Sequence, residues 1–315
     1  EPSEKGRLVM KTSGKCKNFL ERLKKIECSD ATYKPVESPL VIKSASGSII
    51  VDSDDNEYID FCAGFGVTAF GHSPDYLKKL FLSLPPIVHG LGDVYPSEEK
   101  IPLIESLLEV LPDKFSKVAL ALSGAGAVET AIKTAILKTK STGFICFDDS
   151  YHGVDFGTLP LTFRDDFKNP FENYVKSGNV ISLPFNCSIE SIRLAIAELE
   201  DKFGCAAIIV EPIQGRGGIV QAEPRFLKDL RIASLEAGAL LIYDEIFCGL
   251  GRSGRYSFSE EFPCDLVCLG KALGGGFPLS ACVGTDDAMS GWPSKGEAIH
   301  TGTFFGHPLV AAQLD

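Results

Sequence analysis

The sequence is poor in several chemistries at once. Among its 315 residues are two methionines, one tryptophan and five scattered histidines. Neither an HExxH pair nor a CxxC pair occurs, and the tightest cysteine spacing, Cys264 and Cys268, has three residues between. A structural zinc centre needs clustered soft ligands, so no metal site is expected. No apolar run is long enough to span a bilayer, and the opening EPSEKGRLVM has no apolar signal core. Positive charge is scarce as well: 31 Lys and Arg stand against 42 Asp and Glu, giving a net charge of −11, with basic residues only in short pairs such as Lys24-Lys25. That balance argues against nucleic acid as the main partner. Internal repeats, low-complexity tracts and flexible linkers are absent too. The expectation is a cytoplasmic protein with no membrane contact.

Against these absences, 44% hydrophobic and 23% charged residues describe a globular chain, long enough for one large domain or two. The ten cysteines do not read as a disulfide framework. Cys146, Cys205, Cys268 and Cys282 lie in or beside apolar runs, where cysteine behaves as a small buried hydrophobe. Residues 16–28 place Phe19, Leu20, Leu23 and Ile26 on one helical face. The stretch LVIKSASGSIIVDSDDNEYIDF reads as strand, turn, strand, with Asp-Asp as the turn, and helical pattern resumes in SPDYLKKLFLSL and SEEKIPLIESLLEVL. From about residue 117 short apolar runs alternate with helical segments: KVALALSG, GFICFDDS, AAIIVEP, ALLIYDE, DLVCLGK and LSACVGT. Most lack the polar alternation of a sheet with one wet face, which predicts an α/β domain whose mainly parallel sheet is covered by helices on both faces.

Ligands of such sheets bind at the carboxyl ends of the strands. Those ends carry Ser123-Gly124-Ala125-Gly126, then Tyr151-His152 after Asp148-Asp149, then Glu211, then Asp244, then Lys271. The first resembles a dinucleotide turn, yet Glu129 replaces its third glycine, and that reading leaves Asp244 and Lys271 without roles. A bare strand–helix turn explains the glycines equally, as does an anion site at the helix start. Lys271 is no P-loop lysine, since GxxxxGK[ST] is missing and Ala272 follows it. Taken singly, Lys271 could be a solvated lysine, Asp244 a backbone cap and Tyr151 ordinary loop packing. Taken together, an amine, an acid, an aromatic face and an anion-binding turn match the needs of pyridoxal phosphate. A Schiff-base lysine acting without cofactor leaves the anion turn unexplained.

Segments from one end to the other carry a resemblance: DNEYIDFCAGFGVTAFGHS, HGLGDVYPS, LSGAGAVETAIKTA, YHG, VEPIQGRGG, YDEIFCGLGRSG, LGKALGGGFPLSA and HTGTFFGHPLVAA. In this order they are similar to the class III aminotransferases among the fold-type I pyridoxal phosphate enzymes. The resemblance implies that Lys271 forms the Schiff base with the cofactor, Asp244 pairs with its pyridine nitrogen and Tyr151 stacks on its ring. Gly124 and Ala125 would bind its phosphate beside Ser123, with His152, Glu211 and Phe247 completing the cofactor set. It also implies a homodimer in which Thr303 reaches the neighbouring subunit's cofactor. The reaction implied moves an amino group from an amino acid or amine to a keto acid or aldehyde, with Lys271 shuttling the proton. A racemase, aminomutase or decarboxylase of the same fold, or a non-catalytic subunit, are the alternatives.

Three departures from the family pattern stand out. Arg216 occupies the position after Gln-Gly that is often acidic, and it either meets a substrate carboxylate or lies at the surface. Phe247 stands where a glutamine is common. The chain stops at Asp315, where the family continues, so the expected organisation is a helix/strand segment over residues 1–70, a cofactor-binding large domain over 71–300, and a start at 301–315 of the connection to a carboxyl-terminal small domain absent from this chain. Cys248 is either a reactive thiol near the site or packed and inert. His72 and His89 acquire no role.

Overall fold

The computed structural model describes residues 14–28, 40–175 and 178–312. The opening decapeptide and Asp315 lie outside the described residues. The chain divides into two compact units, residues 1–79 and 80–315.

In the first unit a helix spans Gly14–Ile26, and the Asp54 carboxylate satisfies its free amino end, accepting from Lys15 N at 2.6 Å. Its apolar stripe is not a buried face: Phe19 and Ile26 are exposed, and Cys16 is the buried member. An antiparallel sheet of β1 (Ile42–Ser46), β2 (Ile49–Asp52) and β3 (Glu57–Ile59) follows. Two strands were expected here, and three form, because Gly47-Ser48 makes a first turn ahead of the Asp54-Asp55 turn. Gly47 takes positive φ, which its missing side chain permits without strain. Asp52 holds the second turn by accepting from Asp54 N and Asn56 N, both at 2.9 Å.

The second unit is built on a seven-stranded sheet. Its strands are β4 (Phe115–Ala121), β5 (Gly143–Phe147), β6 (Val180–Leu183), β7 (Cys205–Val210), β10 (Leu240–Asp244), β11 (Leu266–Leu269) and β12 (Ser280–Thr285). The order is β4-β12-β11-β10-β7-β5-β6. β12 runs opposite to the other six strands. A separate ribbon pairs β8 (Ile213–Gln214) with β9 (Val220–Gln221). The six expected runs all form strands; β6 is additional, a short edge strand whose four residues give too little pattern to read.

The apolar monotony of the central strands has its cause in the two layers that cover them. Leu241 and Tyr243 of β10 enter one core with Leu103, Ile192, Leu199, Phe226 and Leu230, contributed by the helices Lys100–Glu109, Ile189–Glu200 and Pro224–Glu236. Leu240 and Ile242 enter the other, with Ala127, Ala131, Ile132 and Ala135 of the helix Gly124–Thr139. Successive side chains of a strand point to opposite faces, so both parities must be apolar. The small residues of that last helix bring it close against the sheet. Among the described residues no helix is long and apolar enough to cross a membrane.

Candidate active site

Because β4, β5, β7, β10 and β11 run in one direction, their carboxyl ends share one edge of the sheet. The expected residues follow those ends. After β4, Ser123 leaves the strand in extended conformation and caps the next helix, its hydroxyl accepting from Gly126 N at 3.0 Å. The amides of Gly124 and Ala125 begin the helix, where N–H groups have no intrahelical acceptor and the dipole favours an anion. Gly153 then fixes how the loop after β5 meets this turn. Its φ is +113°, and a Cβ there would lie 2.7 Å from that of Ala125. The YHG segment and the anion turn thus pack backbone to backbone.

Asp244 ends β10 buried, and His152 approaches it: Nδ1 lies 2.8 Å from Asp244 Oδ2. Asp244 Oδ1 accepts from Ile246 N at 3.2 Å. With both oxygens partnered and lone pairs left over, the carboxylate is held in one orientation and can still accept a further hydrogen bond. His152 therefore faces the acid. Its Nε2 is buried and has no hydrogen-bond partner among the described residues.

Glu211 also turns toward protein groups. Oε1 accepts from Tyr151 N at 2.8 Å and Oε2 from Gly215 N at 3.1 Å, so one carboxyl ties the loop after β5 to the turn after β8. Burial pushes Glu211 up to about 7, with His152 pulling down and Asp244 adding to the rise. Glu245, which sequence reasoning passed over, is likewise pushed to about 7 by burial. It accepts from Ser257 Oγ at 2.7 Å and Phe258 N at 3.0 Å, fastening the loop that leaves β10. Its only sequence signal was an acid next to Asp244 in an apolar run.

Tyr151 is partly buried, with its ring edge-on to Phe167 at 6.1 Å. The Arg216 guanidinium lies 4.6 Å from the Tyr151 ring centre and 5.6 Å from that of Phe167, while the residue itself is exposed. Arg216 is thus at the surface and against the site aromatic at once. Lys271, one residue beyond Gly270 at the end of β11, has φ of +42°, a left-handed conformation costing a non-glycine residue roughly 1–2 kcal/mol. Its amine stands 5.4 Å from the centre of the Phe247 ring. Gly275 and Gly276 both take positive φ, so those glycines are required by the turn itself. Thr303 is exposed in a turn near the end of the described chain. Cys248 is buried, and burial drives its thiol well above the ordinary range, which makes it a packed and inert cysteine. A cavity of about 360 Å³ beside β4, lined by residues including Thr130, Trp292 and His300, involves none of the candidate residues.

Comparison with known proteins matches the chain to a family. The model of the class-III aminotransferases covers residues 31–314. The acetylornithine aminotransferase of Methanosarcina acetivorans is 35% identical over 277 residues, 87% of this chain and 66% of its own length. The glutamate-1-semialdehyde 2,1-aminomutase of Methanosphaera stadtmanae is 33% identical, over 88% of this chain and 64% of its own. The chain therefore spans about two thirds of the length of the curated relatives it matches. Among solved structures, the ornithine aminotransferase of Toxoplasma gondii superposes with a TM-score of 0.83 at 26% identity, over 97% of this chain and 70% of that one. By the extent of the family match, and by relatives matched over most of its length, the chain belongs to the class-III aminotransferases.

Proposed function

We propose that this protein is a pyridoxal-phosphate-dependent aminotransferase, and that Lys271 and Asp244 are its catalytic residues. The observation that carries the reading is the convergence at one sheet edge of a lysine amine, an acid held by His152 at 2.8 Å, and a helix start with free amides. The fit to the cofactor is chemical. Asp244 retains lone pairs for a protonated ring nitrogen, and the Gly124 and Ala125 amides suit a phosphate. Ser123, already capping the helix through its oxygen, keeps a hydroxyl proton to donate. When bound, pyridoxal phosphate supplies an electrophilic carbonyl and an electron-withdrawing ring.

The chain's own residues then divide the work. His152 orients Asp244, so that the carboxylate presents a fixed lone pair to a cation. Glu211 holds Tyr151 and Gly215 in register, which sets the Tyr151 face. The Lys271 amine is the group that takes up and returns the proton at the substrate carbon. We assign Arg216 to a substrate carboxylate, because its guanidinium lies over the Tyr151 ring and carries N–H groups suited to bidentate contact. The donor is accordingly an amino acid or an amine carrying an anionic group, with a keto acid or aldehyde as acceptor. The relatives make N-acetylornithine the first donor to try. A homodimer is part of the proposal. The first unit exposes Phe61 at 94%, Phe65 at 74% and Phe70 at 71%, more aromatic surface than a lone subunit usually leaves in water. Thr303 would serve the partner's site. Acidic charge and the free, buried Cys146, Cys205, Cys268 and Cys282 support a cytoplasmic setting.

Aminomutase chemistry is the second reading, favoured by the aminomutase relatives. The test is a pyridoxal phosphate titration followed by visible absorption, borohydride trapping and peptide mapping. Trapped label on Lys271, lost in Lys271→Ala, with keto-acid consumption supports transamination. Label without keto-acid consumption favours the mutase. Absence of trapped label in folded protein removes the cofactor assignment. Arg216→Ala should raise KM for donors with a second carboxylate at least tenfold and leave simple amines unaffected.

A further inference from the structure

We infer that Phe247 is a positioning residue for Lys271, docking its amine on the ring face at 5.4 Å. This concerns the same site and rests on the proposed role of Lys271. Phe247 cannot offer a hydrogen bond, and what it offers is the negative face of an aromatic quadrupole, which attracts an ammonium within about 6 Å. Among the described residues Lys271 makes no ion pair, and the Phe247 ring is the partner of its charge.

The ring is itself immobilised from behind. Gly215 backs it so tightly that a Cβ at that position would lie 2.8 Å from Phe247 Cδ1 and 3.0 Å from Cγ. Gly215 N is fixed in turn by Glu211 Oε2 at 3.1 Å. A buried carboxyl, a glycine without a side chain and an aromatic ring therefore form a continuous stack ending at the amine. The left-handed backbone of Lys271 aims the side chain at this stack, because φ of +42° redirects Cβ relative to an extended strand end.

An amine docked on the ring face is held away from added reagent and reacts more slowly. Without added cofactor, brief reductive methylation with formaldehyde and cyanoborohydride, read by peptide mass spectrometry, reports that reactivity. The exposed Lys202 and Lys228 serve as internal standards. In Phe247→Leu the labelling of Lys271 relative to the standards should rise roughly two- to tenfold. In Phe247→Tyr, which keeps a ring, it should stay at the wild-type value. Gly215→Ala pushes the ring aside without removing it and should act in the same direction as Phe247→Leu, so the question stays answerable if the leucine variant does not fold. Unchanged labelling in Phe247→Leu, or in Gly215→Ala should the leucine variant fail, overturns the inference, as does equal change in the leucine and tyrosine variants. The measurement uses no pyridoxal phosphate, so failure of the cofactor to bind would count against the proposed function alone.

Discussion

Replacing Glu211 by glutamine should flatten part of the stability that the protein loses as pH rises. In the native structure this carboxyl is pushed from 4.5 to about 7, chiefly by burial. A group whose folded-state pKa is raised contributes stability that is fully present below its unfolded value and is lost as pH climbs through the folded one. The interval from 4.5 to about 7 corresponds to roughly 3 kcal/mol, since each pH unit of separation is worth about 1.4 kcal/mol. Glu245 is raised to about 7 as well, so the wild type should weaken through this window on account of two groups and E211Q on account of one. The substitution carries an opposite cost. Protonated or not, Glu211 offers two oxygens to the amides of Tyr151 and Gly215, whereas glutamine offers one oxygen and sets an N–H against the other amide. That mismatch costs about 1–3 kcal/mol. E211Q should therefore be clearly less stable than wild type near pH 5, and the two should converge near pH 8. Urea unfolding followed by the fluorescence of Trp292, the only tryptophan and a member of the second unit, reads both at pH 5, 6, 7 and 8. Parallel stability curves, offset by a constant amount, would show that Glu211 does not titrate in this window and refute the reasoning.

Two further expectations follow from packing. Gly153→Ala forces a side chain into φ of +113° and into Ala125, so it should lower stability by roughly 1–3 kcal/mol and weaken pyridoxal phosphate binding through the displaced anion turn, measurable by denaturation and by absorbance titration. Cys248, at 1% exposure, should resist an aromatic disulfide reagent at pH 8 in the native protein and react within minutes in denaturant; prompt native reaction would contradict its burial.

What could be read from sequence followed from how strongly the surroundings constrain each residue. β7, β10 and β11 were legible because two helical layers demand apolar side chains at both parities, leaving runs such as CAAIIV that suit little else. The edge strand β6 lies under weaker constraint, with no residue fully buried, and left no comparable trace. In the first unit the expected two strands became three because Gly47-Ser48 lies within a run of mixed polarity, where a turn and a strand residue look alike. The helix over residues 14–26 formed with its apolar stripe largely in water, a case where periodicity foretold the element and said nothing of what covers it.

The site divides in the same way, and for a physical reason. Lys271, Asp244 and Tyr151 could be proposed because their chemistry is unusual at the end of an apolar strand. Sequence reasoning expected Glu211 and His152 in the cofactor set, and the structure adds the protein groups they bond: Glu211 two backbone amides, His152 the Asp244 carboxylate. Hydrogen-bond partners across 60 or 92 residues of chain are set by tertiary packing, and no local pattern encodes them. Phe247 makes the point most sharply. In the sequence it read as a member of the cofactor set that departs from the glutamine common at its position. In the fold it acquires a partner, because Gly215 has no side chain to keep the ring away and Lys271 turns its amine toward it. A site of this kind is specified less by its reactive groups than by the glycine and buried acid that hold them. Substitutions at Gly215 and Glu211 should accordingly disturb Lys271 without touching it.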